Sequence, residues 1–208
     1  VVTNTGGVSL TVNLDDDILG DIDGGAGITL AAGANQQFVV PATVSATTTN
    51  TVTATGTNGG STVTASASAT VTARTCTISL TKTPDKTDVC AGAGTNVTYT
   101  YVVTNTGDFF DASGTLVDDN GTPGDATDDI DLGSWGPLAP SASSAPVTDT
   151  RAINATTTNI ATASGTSGGA SVSATDDATV TAHACSISVS KTPDKTDVCA
   201  GAGTNVTY

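Results

Sequence analysis

The sequence predicts an all-β fold, arranged as a tandem array of one antiparallel sandwich, and three observations carry that prediction. The eighteen residues Lys82–Tyr99, KTPDKTDVCAGAGTNVTY, return unchanged as Lys191–Tyr208, 109 residues further on. Self-similarity at a fixed period identifies a repeat array before any other reading applies. Second, Ser61–Ala73 alternates Val or Ala with Ser or Thr without a break. A period of two sustained that long belongs to a strand, which puts alternate side chains on opposite faces. Third, about a fifth of the residues are Thr, while Glu and Met are absent and all twenty acidic residues are Asp. Such a composition favours strands and supplies few helix formers.

The repeat sets the domain boundaries. VVTNTG begins at Val1 and recurs at Val102, and Ala184–Tyr208 matches Thr75–Tyr99. Residues 1–73 therefore read as the later part of one repeat, 74–182 as a complete repeat, and 183–208 as the first strands of the next. Each end is expected to be finished by whatever adjoins it. The favoured arrangement is a covalent array in which Tyr208 runs on into another copy of VVTNTG. In the other, Ala184–Tyr208 completes residues 1–73 of the next molecule, and this heterologous contact, not closing into a ring, builds a filament.

In chain order, Val8, Leu10, Val12 and Leu14 share one face of a half-buried strand, opposite Ser9, Thr11 and Asn13. The acidic loop Asp15–Gly25 follows, then a short strand at Ile28–Leu30 and a turn at Ala31–Asn35. Strands are expected at Phe38–Val44, Thr49–Thr55 and Ser61–Ala73, with a turn at Gly56–Gly60. The complete repeat opens on Ile78, Leu80 and Lys82, turns at TPDKTD, and enters a strong strand with Val97, Tyr99, Tyr101 and Val103 on one face. A second, longer acidic loop spans Asp118–Asp129; Trp135 precedes the turn PLAPSAS, and further strands run from Val147 to Ala182. Seven or so short strands in about a hundred residues, punctuated by Gly, Pro, Asn and Asp, describe a sandwich of immunoglobulin type.

Charge and cysteine content narrow the setting. A net charge of -14 with only six Lys and Arg leaves no basic cluster for phosphate, so nucleic acid is not an expected partner. No apolar run approaches the roughly eighteen residues of a membrane helix. The four Cys form two copies of one pair, Cys76 with Cys90 and Cys185 with Cys199. The spacing suits no metal motif and reads as one disulfide per repeat, as in an oxidising compartment.

The order of a Lys-Thr-Pro strand, NVTYTYVVTNTGD, LAPSAS or LAAGAN, and TNIATASGT or TNTVTATGT resembles the domain-of-unknown-function-eleven repeat. The V-T-Y-T to T-N-T-G signature stands at Val97–Gly107, its second half at Val1–Gly6, and both copies match from end to end. The resemblance implies immunoglobulin-like domains strung in tandem in secreted or cell-surface proteins of bacteria and archaea, with no catalytic residues. Two departures are the Cys pair and Ser141, which replaces the Gly of the usual L-A-P-G turn.

Candidate sites are few. Asp118, Asp119, Asn120, Asp125, Asp128, Asp129 and Asp131 in the second loop, and Asp15, Asp16, Asp17, Asp21 and Asp23 in the first, offer hard oxygen ligands suited to Ca²⁺; a solvated acidic turn is the competing reading. Asp176 falls at an inward position, where a buried carboxylate is costly, so a bulge or a place at the sandwich end is expected there. Asn96, Asn120, Asn154 and Asn205 lie in N-x-[ST] sequons compatible with glycosylation. Lys82 and Lys191 could form a Lys–Asn isopeptide crosslink of the kind found in some surface immunoglobulin-like domains, but with no Glu to assist it the crosslink is not expected. His183, the only His, reads as a solvated linker residue. One His, no Glu and no nucleophile motif leave nothing from which to assemble an active site. The expected function is a structural subunit of an extracellular filament, pilus-like fibre or surface layer; the alternative is a Ca²⁺-dependent adhesin that binds carbohydrate or a protein through its sandwich-end loops.

Overall fold

The computed structural model describes every residue from Val1 to Tyr208 except Ala202. The described residues are all-β, with fifteen strands and no helix, in two compact units, Val1–Thr75 and Cys76–Tyr208.

In the second unit the strands are β8 (Ile78–Pro84), β9 (Asp88–Cys90), β10 (Thr95–Asn105), β11 (Ala112–Asp118), β12 (Ile130–Leu138), β13 (Val147–Ile153), β14 (Thr157–Ser167) and β15 (Ala170–His183). They form two sheets, one ordered β13-β10-β8 and the other β12-β11-β14-β15-β9. All pairings are antiparallel except that of β9 with the end of β15. The sequence explains how the sheets close on each other. Ile78, Leu80 and Lys82 on β8, Val97 to Val103 at alternate positions on β10, and Asn159, Ala161 and Ala163 on β14 are all buried at the expected parity. Seventeen buried apolar residues form one core between the sheets, centred on Val97, Tyr99, Tyr101, Ala161 and Val180.

The T-N-T-G signature has a physical reason. The Asn105 amide donates to the carbonyls of Phe110 and Leu138 at 2.9 and 2.8 Å, and its oxygen accepts from Gly107 N at 2.9 Å. Asn4 repeats the pattern on Val8, Leu30 and Gly6. A buried Asn thus satisfies backbone groups that the end of a strand would otherwise leave unpaired.

The first unit contains β1 (Val2–Thr3), β2 (Leu10–Asp16), β3 (Gly20–Asp21), β4 (Ile28–Leu30), β5 (Asn35–Gln36), β6 (Thr48–Asn58) and β7 (Ser61–Val71). Its main sheet, β3-β2-β6-β7 with β4 also on β2, reproduces the middle of the larger sheet of the second unit, but only the two-residue pair β1-β5 stands for the other sheet. Two expectations fail as a result. Phe38–Val44 forms no strand, because its counterpart β13 bonds to Thr95–Tyr101 of β10 and the first unit has no such segment to pair with. Every residue of β7 is exposed despite clean alternation; Val63 is 57% accessible, whereas its counterpart Val172 is 7%. Only Val12, Leu14 and Leu30 are buried as a core. A shallow apolar depression of about 330 Å³ opens over this sheet, lined by Leu14, Ile22, Phe38, Val52 and Ala65 among others.

The disulfide also departs from expectation. Cys90 bonds to Cys185, 95 residues on, rather than to Cys76. The position of β9 decides the pairing: it runs parallel to β15, with His183 opposite Cys90, which brings Cys185 to a Cα–Cα distance of 5.4 Å and uses the Cys90 sulfur. Cys199 is exposed and outside any disulfide.

Ser141 adopts φ 65°, the left-handed conformation that Gly33 takes at φ 75° in the equivalent turn. Only Gly enters that region without steric cost. Ser141→Gly is therefore expected to stabilise the second unit by roughly 0.5–1 kcal/mol in denaturant titration followed by the fluorescence of Trp135. Cys90→Ser is expected to cost it several kcal/mol, up to about 4–5 for a closed loop of this length, and to make its unfolding insensitive to reductant.

Candidate functional site

The chemistry-bearing groups that the fold brings together lie in the core of the second unit. Lys82 points inward from β8, and its side chain is completely buried. Asp118, the last residue of β11, faces it from the opposite sheet; its Oδ2 accepts from Lys82 Nζ at 2.8 Å and from the Tyr101 hydroxyl at 2.5 Å. Asn159 on β14 completes the group, its Oδ1 accepting from the same Nζ. The amine also lies 5.0 Å from the ring centroid of Tyr99 and 5.5 Å from that of Tyr101. Asp118 Oδ1 accepts from Asn120 N at 2.9 Å, which uses its second oxygen.

Register explains the convergence. Asp118 is paired with Ala161, two residues beyond Asn159 on the same face, so acid and amide are diagonal neighbours on one sheet. Lys82, on the other sheet, reaches both across the core.

Burial sets the charges. Desolvation pushes the Lys82 amine below its usual value, and the contact with Asp118 opposes this only in part. Burial would raise the Asp118 carboxyl, but hydrogen bonds from Lys82 and Tyr101 outweigh it and hold the group below the ordinary carboxylate range. The Tyr101 hydroxyl is driven far up by burial and by the adjacent carboxylate. It therefore remains a donor throughout the accessible pH range.

Asp176 needs no bulge, since β14 and β15 stay in unbroken register past it. Its carboxylate instead accepts from the backbone N–H of Lys82 at 2.7 Å. A charge that looked misplaced in the sequence satisfies a donor on the facing sheet.

The acidic loops spend their carboxylates locally. Asp119 Oδ1 accepts from Gly121 N and Ile160 N, Asp125 from Thr127, Asp128 from Asn120 and Thr122, and Asp131 from Gly133 N. In the first loop Asp16 accepts from Ile18 N, Leu19 N and the Asn50 amide, Asp17 from Thr51 N, Asp21 from Asp23 N, and Asp23 from Leu14 N. Among the described residues no three His, Cys, Asp or Glu side chains converge as a metal-holding group. Several of these bonds close turns, others tie a loop to the neighbouring strand, and Asp23 Oδ2 and Asp119 Oδ2 are buried without a hydrogen-bond partner among the described residues. Of the sequon residues, Asn96, Asn154 and Asn205 are exposed and Asn120 is half-buried. His183 is exposed, with Nε2 2.7 Å from Asp88 Oδ1.

Among the site residues, Lys82 stands out in the sequence, whereas Asn159 and the inward role of Asp118 do not. A signal for both was present. Lys82 shares parity with Ile78 and Leu80, Asn159 with Ala161 and Ala163, and Asp118 with Ala112 and Leu116. Three polar residues at inward positions of three strands need one another.

Removing one member leaves an uncompensated buried charge, so Asp118→Ala is expected to cost the second unit about 3–5 kcal/mol in denaturant titration. In Asp118→Asn a pH effect should also disappear. A carboxyl depressed on folding contributes stability above its unfolded value, near 3.9, that is lost as pH falls through the folded value. Acid titration of the Trp135 signal should accordingly show a step below about pH 4 that the Asn variant lacks. No protein-family model and no curated protein matches this chain.

Proposed function

We propose that the chain is a structural subunit of an extracellular fibre or surface layer in which immunoglobulin-like repeats complete one another head to tail. The strand order of the second unit supports the fold assignment: first, third and sixth strands on one side, with the short second strand joining the far edge of the other beside the last. With β9 counted as the continuation of β8, this grouping supports reading the unit as an immunoglobulin-type sandwich, whose first, second and fifth strands share one sheet and whose third, sixth and seventh share the other. A long-range disulfide fits an oxidising, extracytoplasmic setting, and the resemblance noted in the sequence points the same way.

The observation that carries the assembly is a pair of complementary halves. The sheet of the first unit lies open, whereas the described residues of 184–208 carry no strand and leave Ile187 97% and Val189 95% accessible. Their counterparts in the second unit, Ile78 and Leu80, are 8% and 7% accessible. The segment is already folded back as a hairpin. Thr207 N donates to Asp194 Oδ1 and Lys195 Nζ to the Asn205 carbonyl, at 2.9 and 2.8 Å. Thr98, Asp85, Lys86 and Asn96 make the same bonds in the second unit. A preorganised hairpin loses little entropy on docking, and burying two large aliphatic side chains contributes roughly 1.5–3 kcal/mol each. The contact is the same whether the neighbouring repeat belongs to this chain or to another copy.

Electron microscopy and light scattering of the purified chain should show linear oligomers that lengthen with concentration. A synthetic peptide of residues 184–208 in excess should cap them, and the double substitution Ile187→Asp, Val189→Asp should leave monomers. Monomers of the unsubstituted chain at every concentration would overturn the reading.

A further inference from the structure

Lys82, Asp118 and Asn159 also have the composition of a reaction centre. An amine touches a carboxamide, a carboxylate accepts from that same amine, a tyrosine hydroxyl fixes the carboxylate, and all of this lies in a core closed to water. We propose that Lys82 and Asn159 join in an intramolecular isopeptide bond, with Asp118 as the acid–base catalyst.

The lysine ammonium passes a proton to Asp118, and the neutral amine attacks Cγ of Asn159. Asp118 gives that proton to the departing amide nitrogen, then takes the second proton from Nζ and passes it on to the leaving ammonia. The Nζ–Cγ bond forms, the Cγ–Nδ2 bond breaks, and one ammonia leaves with the proton that the lysine brought. The exchange needs no oxidant and no cofactor, and Asp118 ends as it began.

Burial favours each step. It weakens the hold of the amine on its proton, and the reaction replaces a buried ammonium, costly to desolvate, by a neutral amide. Enforced contact supplies the proximity that a dilute amine and amide lack. The absence of Glu, which spoke against the crosslink in the sequence, does not matter in the fold. The end of β11 places an Asp on the reacting amine, one diagonal step from the amide, and the carboxylate is what the chemistry requires.

The first unit holds the same acid and amide without the amine. Asn50 Nδ2 donates to Asp16 Oδ1 at 2.6 Å, in the positions of Asn159 and Asp118. Lys191, counterpart of Lys82, lies on the exposed hairpin, 3.9 Å from the Tyr208 ring. If the head-to-tail reading holds, the same reaction between Lys191 of one copy and Asn50 of the next seals the contact covalently.

Intact mass spectrometry of the reduced, purified chain tests the intramolecular bond. The mass should fall short of the sequence mass by one ammonia, and a peptide map should join the segments holding Lys82 and Asn159. Lys82→Arg and Asp118→Asn should restore the full mass, with Trp135 fluorescence and the Cys90–Cys185 bond showing that the fold persists. Asn159→Asp should lose water in place of ammonia. A folded chain of unreduced mass overturns the proposal. For the bond between copies, assembled material should run as a ladder on a reducing denaturing gel, and Lys191→Arg should collapse it to monomer. Oligomers in the microscope that dissociate wholly to monomer on that gel would refute the seal alone, and an absence of oligomers would refute the assembly instead.

Discussion

A lysine at the centre of a thin sandwich restricts everything around it. The inward faces here are mostly Val and Ala, which cannot solvate an ammonium, so the structure is stable only where a carboxylate, an amide and aromatic faces meet that amine at once. Asp118, Asn159, Tyr99 and Tyr101 meet it. Because the amine belongs to one sheet and the acid and amide to the other, a single polar contact specifies how the sheets face each other. A one-residue slip of β8 would turn Lys82 outward and bury Thr81 or Thr83 in its place, so the register is fixed by the cost of getting it wrong.

The two units show how far burial depends on the neighbour rather than on local pattern. β7 and β15 descend from the same stretch of the repeat, and both pair with their hairpin partner along its full length. Yet Val172 is buried under a second sheet, while Val63 has nothing above it. The same holds for Leu80 and Val189 at equivalent positions of the hairpin. The β6-β7 hairpin keeps its pairing without a second sheet, but its apolar face is buried only where a second sheet is present.

This separates what the sequence made legible from what it did not. The all-β class, the hairpin of β6 and β7 with its turn at Gly59 and Gly60, and the inward faces of β8 and β10 follow from period-two alternation and turn residues, which are local signals. The strand expected at Phe38–Val44 has the right composition, but a strand also needs a partner backbone, which composition does not reveal. The disulfide was misjudged for the same reason. Equal spacing of Cys76–Cys90 and Cys185–Cys199 suggested a pair inside each repeat, whereas identical spacing arises equally when each Cys bonds across the period. The acid-amine-amide cluster was half visible, since parity exposes three inward polar residues but not the diagonal that joins them.

The Cys90–Cys185 bond has a mechanical consequence. Tension applied to the two ends of the second unit enters at β8 and leaves beyond His183. With neither this bond nor a Lys82–Asn159 crosslink, unravelling could release the whole stretch from Cys76 to Cys185. With the disulfide, the load runs along β8 and β9 to Cys90, crosses the sulfurs and exits at Cys185. Residues 91–184 become a closed side loop that carries no force. At about 3.5 Å per extended residue, the stretch between the two points is limited to roughly 50 Å instead of nearly 400 Å. A unit tied this way is a link of limited extension, whose sandwich can melt while its two ends part by no more than that short segment allows.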